Sequence, residues 1–158
     1  MLRLSREIRV EWGHCDPARI VYNPNYYNWM EGGLLALLSA AGFDLATMIA
    51  KDADFRGTPL VRGDASFMAP ARAGDLIVHH VEVSRWGTKS FDLKHQFTLG
   101  DITLLEGSQT RVWARANPDI PSSLAAVPVP DAVKAALSEN RTIRLTIHQE
   151  TRPQETQS

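Results

Sequence analysis

Residues 14 to 42 read HCDPARIVYNPNYYNWMEGGLLALLSAAG, and this stretch decides the fold. From Pro24 to about Ala41 the apolar residues Tyr26, Trp29, Met30, Leu34, Leu37, Leu38 and Ala41 recur at three- and four-residue spacing, which predicts a helix with one broad apolar face. Asn23 stands at its N-cap and Pro24 at its first helical position, and Gly42 closes the far end. The longest weakly polar run, GGLLALLSAAGF, is about a dozen residues, against the roughly 20 needed to cross hydrocarbon, so the helix reads as buried in a protein core. Gly32 and Gly33 each cost roughly 1 kcal/mol of helix propensity relative to alanine, which asks for compensation such as the close approach of another backbone.

Outward from the helix the pattern changes to a two-residue period. Residues 3 to 12 alternate, with Ile8, Val10 and Trp12 on one side and Arg9 and Glu11 on the other, as a half-buried strand does. After a weaker helix over Leu45 to Ala50, strands are predicted at Pro59 to Phe67, Leu76 to Trp86, Lys89 to Leu99 and Ile102 to Ala116. HQFTLGDITLL carries a hairpin signal, and Phe91, Leu93, His95 and Phe97 alternate with Ser90, Asp92, Lys94 and Gln96. NPDIPSSLAAVPVP reads as an irregular connection to a short helix at Asp131 to Leu137. RTIRLTIH alternates like an added strand, and QETRPQETQS is polar enough to be loose. The expectation is an α+β fold with one antiparallel sheet covering one long helix, over residues 1–138, and a C-terminal extension over 139–158. A sheet wrapped on a single helix leaves strand edges bare, which predicts pairing with a second subunit.

Composition narrows the function classes. In 158 residues, 17 Lys and Arg face 18 Asp and Glu, so no general basic field gathers nucleic acid. Cys15 is the single cysteine, which excludes an internal disulfide and thiolate zinc clusters and suits a reducing, cytoplasmic setting. MLRLSREIRV lacks the continuous apolar core of a secretion signal, and no membrane partner is expected.

The chemistry concentrates at Asp16. Its backbone precedes a proline and is held extended, so the carboxylate is aimed by a stiff loop. Seven residues later the helix starts, with unpaired N–H groups and a partial positive charge; Pro24 has no donor, which leaves the N–H groups of Asn23, Asn25 and Tyr26. A carboxylate and a helix tip converging on one acyl group suit acyl transfer: one attacks or takes a proton from water, the other binds the developing oxyanion. A thiol leaves as a thiolate with a pKa near about 8.5, so a thioester needs no dedicated general acid.

HCDPARIVYNPNYYNWME resembles the CDPAGIVxxPNY signature of the 4-hydroxybenzoyl-CoA thioesterase family of hotdog-fold enzymes, and GTPLV, ASF and W-x-x-KSF follow in the family's order. The resemblance implies acyl-CoA hydrolysis, with hydroxybenzoyl-CoA as the model aromatic substrate, in a helix-in-sheet homodimer assembled to a homotetramer, with no cofactor. By the same resemblance Asp16 is the catalytic carboxylate, as nucleophile or general base, and the backbone N–H of Asn23 polarises the thioester carbonyl. Glu31 matches an acid near the substrate ring, Thr58 a pocket residue contributed across the interface, and Lys89 a basic position associated with the CoA phosphates; Tyr22 and Tyr26 join them as substrate-binding candidates. Arg19 replaces the glycine of DPAG, Asn23 a tyrosine, and Gly87 and Thr88 stand where the hydroxybenzoyl enzyme carries arginines.

Plainer readings stand beside these. Asp before Pro is commonly a turn residue, and adjacent His14 and Cys15 chelate poorly. His79 and His80 point to opposite sheet faces and read as structural. Tyr26, Trp29 and Met30 fit a core as well as an acyl pocket, and Arg85, Arg111 and Arg115 fit solvated sheet surface as well as phosphate contacts. A hotdog dehydratase, needing a His-Asp pair, and a non-catalytic acyl-CoA binding protein are the rival functions.

Overall fold

The computed structural model describes residues 1–147. In chain order it contains β1 (Arg3–Arg9), α1 (Pro24–Ala40), α2 (Leu45–Lys51), β2 (Leu60–Phe67), β3 (Leu76–Trp86), β4 (Ser90–Leu99), β5 (Ile102–Val112), β6 (Ala114–Ala116), β7 (Leu124–Ala126), α3 (Asp131–Ser138) and β8 (Thr142–Leu145). Six strands form one sheet in the order β2-β5-β4-β3-β1-β8, antiparallel except for the parallel β1–β8 pair.

The helix forms where its apolar spacing demands. Tyr26, Met30, Leu34, Leu37 and Leu38 are at most 3% exposed, and each contributes roughly 1.5–3 kcal/mol of transfer free energy by leaving water. Met30 packs with Phe97, Leu104 and Leu105 of the sheet, and Leu34, Leu37 and Leu38 with Leu4, Val81 and Leu93. At its end, Gly42 has φ 90° and donates to Ser39 O at 2.9 Å, while Phe43 N–H reaches Leu38 O at 2.8 Å, so the left-handed glycine turns the chain and satisfies the last carbonyls. Sheet and helix together make the expected hotdog arrangement. No single helix among the described residues is long and apolar enough to cross a membrane.

The glycine pair in α1 makes room for side chains, not for backbone. A Cβ on Gly33 would lie 2.2 Å from His79 Cε1, and one on Gly32 would lie 2.8 Å from an Arg6 guanidinium nitrogen. That guanidinium bonds the Trp29 carbonyl at 2.6 Å.

Other expectations are corrected. The first strand ends at Arg9, because residues Trp12–His14 turn into a 3-10 helix in which Glu11 N–H donates to His14 Nδ1 at 2.9 Å. Trp12 is accordingly 82% exposed and not inward with Val10. The strand predicted over Ile102 to Ala116 breaks at Trp113, whose N–H crosses to Lys89 O, and β6 then pairs with β7, inside the segment predicted to be irregular. The hairpin of β4 and β5 closes through Gly100 at φ 56°, as a two-residue turn requires. RTIRLTIH supplies β8, which lies along β1; the loose segment predicted at QETRPQETQS lies outside the described residues.

Candidate active site

Asp16 is held by its own turn. Its Oδ1 accepts the Ala18 N–H at 2.8 Å, its N–H donates to Ile20 O at 3.0 Å, and its carbonyl accepts the Arg19 N–H at 2.8 Å. The turn reading and the reactive reading therefore coexist: one carboxylate oxygen fixes the loop, and Oδ2 has no partner among the described residues. Asp16 lines a cavity of about 440 Å3 with Trp12, Cys15, Pro17, Arg19 and Ala73.

The helix start resolves which donor is free. Asn25 N–H bonds Tyr22 O at 2.9 Å and Tyr26 N–H bonds Asn23 O at 3.1 Å, so neither is available as the sequence suggested. Tyr22 N–H is taken by His14 O. Asn23 N–H donates to no described residue. Asn23 precedes the helix with φ −47° and ψ −42°, and its side chain makes no capping bond, so its backbone is already helical and it is not a side-chain cap. The entry is pinned by Asn25 instead, whose Nδ2 donates to His14 O at 2.7 Å.

Asp16 and Asn23 line different cavities. Asn23 lines a second cavity, of about 270 Å3, with Tyr26, Phe67, Met68 and Ala71 among its walls. Val21 N–H donates to Ala71 O at 2.9 Å, tying the 69–73 segment to the loop, so that Ala71 faces one cavity and Ala73 the other.

Tyr26 is 3% exposed and stacks edge-on against Trp29, Phe67 and Phe97, which makes it a core residue that also borders the Asn23 cavity. Burial, with the charges of Asp75 and Cys15 adding, pushes its phenol up to about 12, so it keeps its proton at neutral pH. Tyr22 is 54% exposed and borders neither cavity. Lys89 is exposed in the turn between β3 and β4 and also borders neither.

Glu31 and Thr58 are joined by a residue the sequence placed on solvated surface. Arg111, 3% exposed, pairs with the Glu31 carboxylate, donates to Thr58 O at 3.2 Å and to Gln109 Oε1 at 3.0 Å. Thr58 is 5% exposed within its own chain. The signal was present in β5: strand parity puts Leu105, Gly107, Gln109 and Arg111 on one inward face.

A second buried polar group lies under α1. Arg6 Nε donates to His79 Nδ1 at 3.4 Å, and His79 Nε2 meets His95 Nδ1 at 2.9 Å, so both rings are neutral and the tautomers follow from the chain of bonds. His80 is on the opposite face, as strand parity requires, with Nε2 at 3.3 Å from Thr98 Oγ1. Of the described histidines none lines the Asp16 cavity, and no three His, Cys, Asp or Glu side chains among the described residues gather as a metal needs.

A model of the thioesterase-like superfamily matches residues 10–137. The chain belongs to that superfamily. It is a thioester hydrolase, similar over 116 residues, at 29% identity, to the 4-hydroxybenzoyl-CoA thioesterase of Pseudomonas sp. strain CBS-3, a match that covers 70% of this chain and 82% of the relative. The thioesterase superposes on a crystal structure of an Asp-to-Asn mutant of 4-hydroxybenzoyl-CoA thioesterase complexed with 4-hydroxybenzoyl-CoA, with TM-score 0.78 and 26% identity, over 86% of this chain and 99% of that one. A gentisyl-coenzyme A thioesterase structure is similar at 30% identity and TM-score 0.72, over 85% of the thioesterase and 99% of that chain.

Proposed function

We propose that the protein hydrolyses an aromatic acyl-CoA to the free acid and CoA, with Asp16 acting on the thioester carbon. The observation that carries this reading is the Asp16 carboxylate, fixed through Oδ1 while Oδ2 stays unpartnered on the wall of the cavity of about 440 Å3. As nucleophile, Oδ2 bonds to the thioester carbon, the C–S bond breaks to release CoA thiolate, and water cleaves the resulting anhydride. As general base, Oδ2 takes a proton from water and the hydroxide forms that bond instead. In both cases negative charge develops on the carbonyl oxygen, and the unclaimed Asn23 N–H is the donor assigned to it. Neither route uses a cofactor.

The reading requires the Asp16 and Asn23 cavities to open onto one another in the assembled protein. Strand β2 supports a second copy as the agent: among the described residues it pairs with β5 on one side alone, and Leu60, Val61, Phe67 and neighbouring Met68 are 47–63% exposed along it. A homodimer, paired again to a homotetramer, is the assembly assigned. Glu31 and Thr58, bridged by Arg111, are assigned to the acyl end, and Lys89 to the CoA end. Residues 1–138 are assigned as the catalytic domain, and the cytoplasm as its compartment.

The test is a panel of benzoyl-, short-chain and long-chain CoA thioesters with free thiol detected, run on the wild type and on Asp16→Asn. The expected result is preference for aromatic acyl groups and a loss on the order of 10³-fold in kcat, with substrate binding retained. Turnover unchanged in Asp16→Asn removes that residue from the mechanism. In a single-turnover reaction in heavy-oxygen water, label entering Asp16 establishes the nucleophilic route, since it requires water to attack the Asp16 carboxyl carbon of the anhydride; trapping of the acyl-Asp16 anhydride tests the same route when water attacks the acyl carbon instead.

A further inference from the structure

Arg19 has φ 63° and is the one non-glycine among the described residues in the left-handed region. A Cβ is crowded there by the following carbonyl, which is why glycine serves such turns. The turn itself is needed: Arg19 N–H returns to Asp16 O at 2.8 Å, and Ile20 O accepts the Asp16 N–H. The signature that this stretch resembles has glycine at that position. The chain therefore keeps a strained arginine where glycine would hold the same loop at lower cost. Strain of this kind persists where the side chain has a use.

The side chain is exposed, forms no ion pair or side-chain hydrogen bond among the described residues, and lines the Asp16 cavity beside the 82% exposed Trp12. Of the described side chains lining that cavity, Asp16 is the other charged one, so without Arg19 this wall would carry a lone negative charge. A thioester whose carrier bears phosphates is anionic, and a lone carboxylate repels it. The acyl carbonyl has no charge for a guanidinium to bind, whereas phosphate oxygens match its fork of donors.

We propose that Arg19 binds a phosphate of the thioester's carrier arm and so offsets the repulsion of Asp16. The proposal rests on the hydrolase reading for the identity of the substrate. Arg19 is a substrate-binding residue here: it acts on capture, and the thioester carbon is left to Asp16.

The same benzoyl group is offered on CoA, on phosphopantetheine and on unphosphorylated pantetheine, to the wild type, Arg19→Lys and Arg19→Gly. Free CoA binding to the same three proteins is measured by calorimetry. Arg19→Gly raises KM for the CoA ester about tenfold with kcat held within about twofold, leaves KM for the pantetheine ester in place, and melts at or above the wild-type temperature. Arg19→Lys falls between. An effect shared by CoA and phosphopantetheine locates the contact at the pantetheine phosphate, and one confined to CoA locates it at the nucleotide; both support the proposal. Equal KM changes for phosphorylated and unphosphorylated esters, or wild type and Arg19→Gly binding free CoA equally or not at all, overturn it. A wild type that cleaves no thioester yet binds CoA more tightly than Arg19→Gly removes the hydrolase reading and leaves this one standing.

Discussion

The Arg111 guanidinium, 4% exposed, is neutralised by the Glu31 carboxylate, whose side chain is 49% exposed. The buried partner depends on the wetter one. Removing Glu31 leaves a charge in the interior without a counter-ion, and breaking buried pairs in this way costs about 3–5 kcal/mol. Because half of Glu31 is wet, Glu31→Leu is expected to cost about 2 kcal/mol in urea denaturation. The double variant Glu31→Leu/Arg111→Met should recover about 1 kcal/mol or more relative to the sum of the singles. Strict additivity would show that the two charges are not coupled.

The Asn23 donor is a backbone group, and this separates two substitutions at one position. Asn23→Ala keeps the N–H and should hold kcat within about threefold. Asn23→Pro removes it, at a φ of −47° that the proline ring tolerates and without breaking a bond to any described residue. A loss of about 10²–10³ in kcat is expected for the proline variant, with the circular dichroism spectrum unchanged. Equal activity in the two variants would take the oxyanion away from this N–H.

Gly33 is space for an imidazole. Alanine there gains roughly 1 kcal/mol in helix propensity, but its Cβ would sit 2.2 Å from His79 Cε1. Overpacking of this severity costs about 1–3 kcal/mol, so Gly33→Ala should lower the melting temperature despite the better helix former. Adding His79→Ala should return part of the loss, and a Gly33→Ala variant that melts higher than wild type would refute the packing argument.

Acid should unfold the protein through the buried imidazoles. Burial, with the charges of Arg111 and Arg6 adding, holds His95 down at about 4, and burial with the His95 charge holds His79 well below its ordinary value. In the unfolded chain both take protons near about pH 6.5. Their contribution is thus complete above about 6.5, is lost as pH falls toward about 4, and does not change further for His95 below that; His95 alone contributes up to about 3 kcal/mol. Urea midpoints at about pH 7.5 and about pH 4.5 should differ accordingly, and His95→Gln should flatten the profile. A midpoint that rises on acidification would contradict the sign.

Much of the fold was legible because local periods report burial directly. The long helix was read to within a residue of its observed Pro24–Ala40 bounds, and β3 at its observed Leu76–Trp86, because their apolar spacings leave one way to hide from water. Trp12 was misplaced because a hydrogen bond from Glu11 to the His14 ring outweighed continued alternation. The Asn23 side chain was misread as a cap because the residue type suits that position, while the choice of Asn25 Nδ2 for His14 O depends on where the loop returns.

By itself the sequence determined the long helix, the main strands of the sheet and the stiff Asp16 loop, since each follows from neighbours a few residues apart. Strand order and the approach of α1 to the sheet decided the rest. Arg111 meets Glu31 across 80 residues, and His79 meets His95 through a register that pairs β3 with β4. The Val21–Ala71 hydrogen bond likewise joins the Asp16 loop to a segment fifty residues away, whose Ala71 and Ala73 line the Asn23 and Asp16 cavities. Such partners have no shared period along the chain, because they are chosen by the packing free energy of the whole domain and not by local propensity.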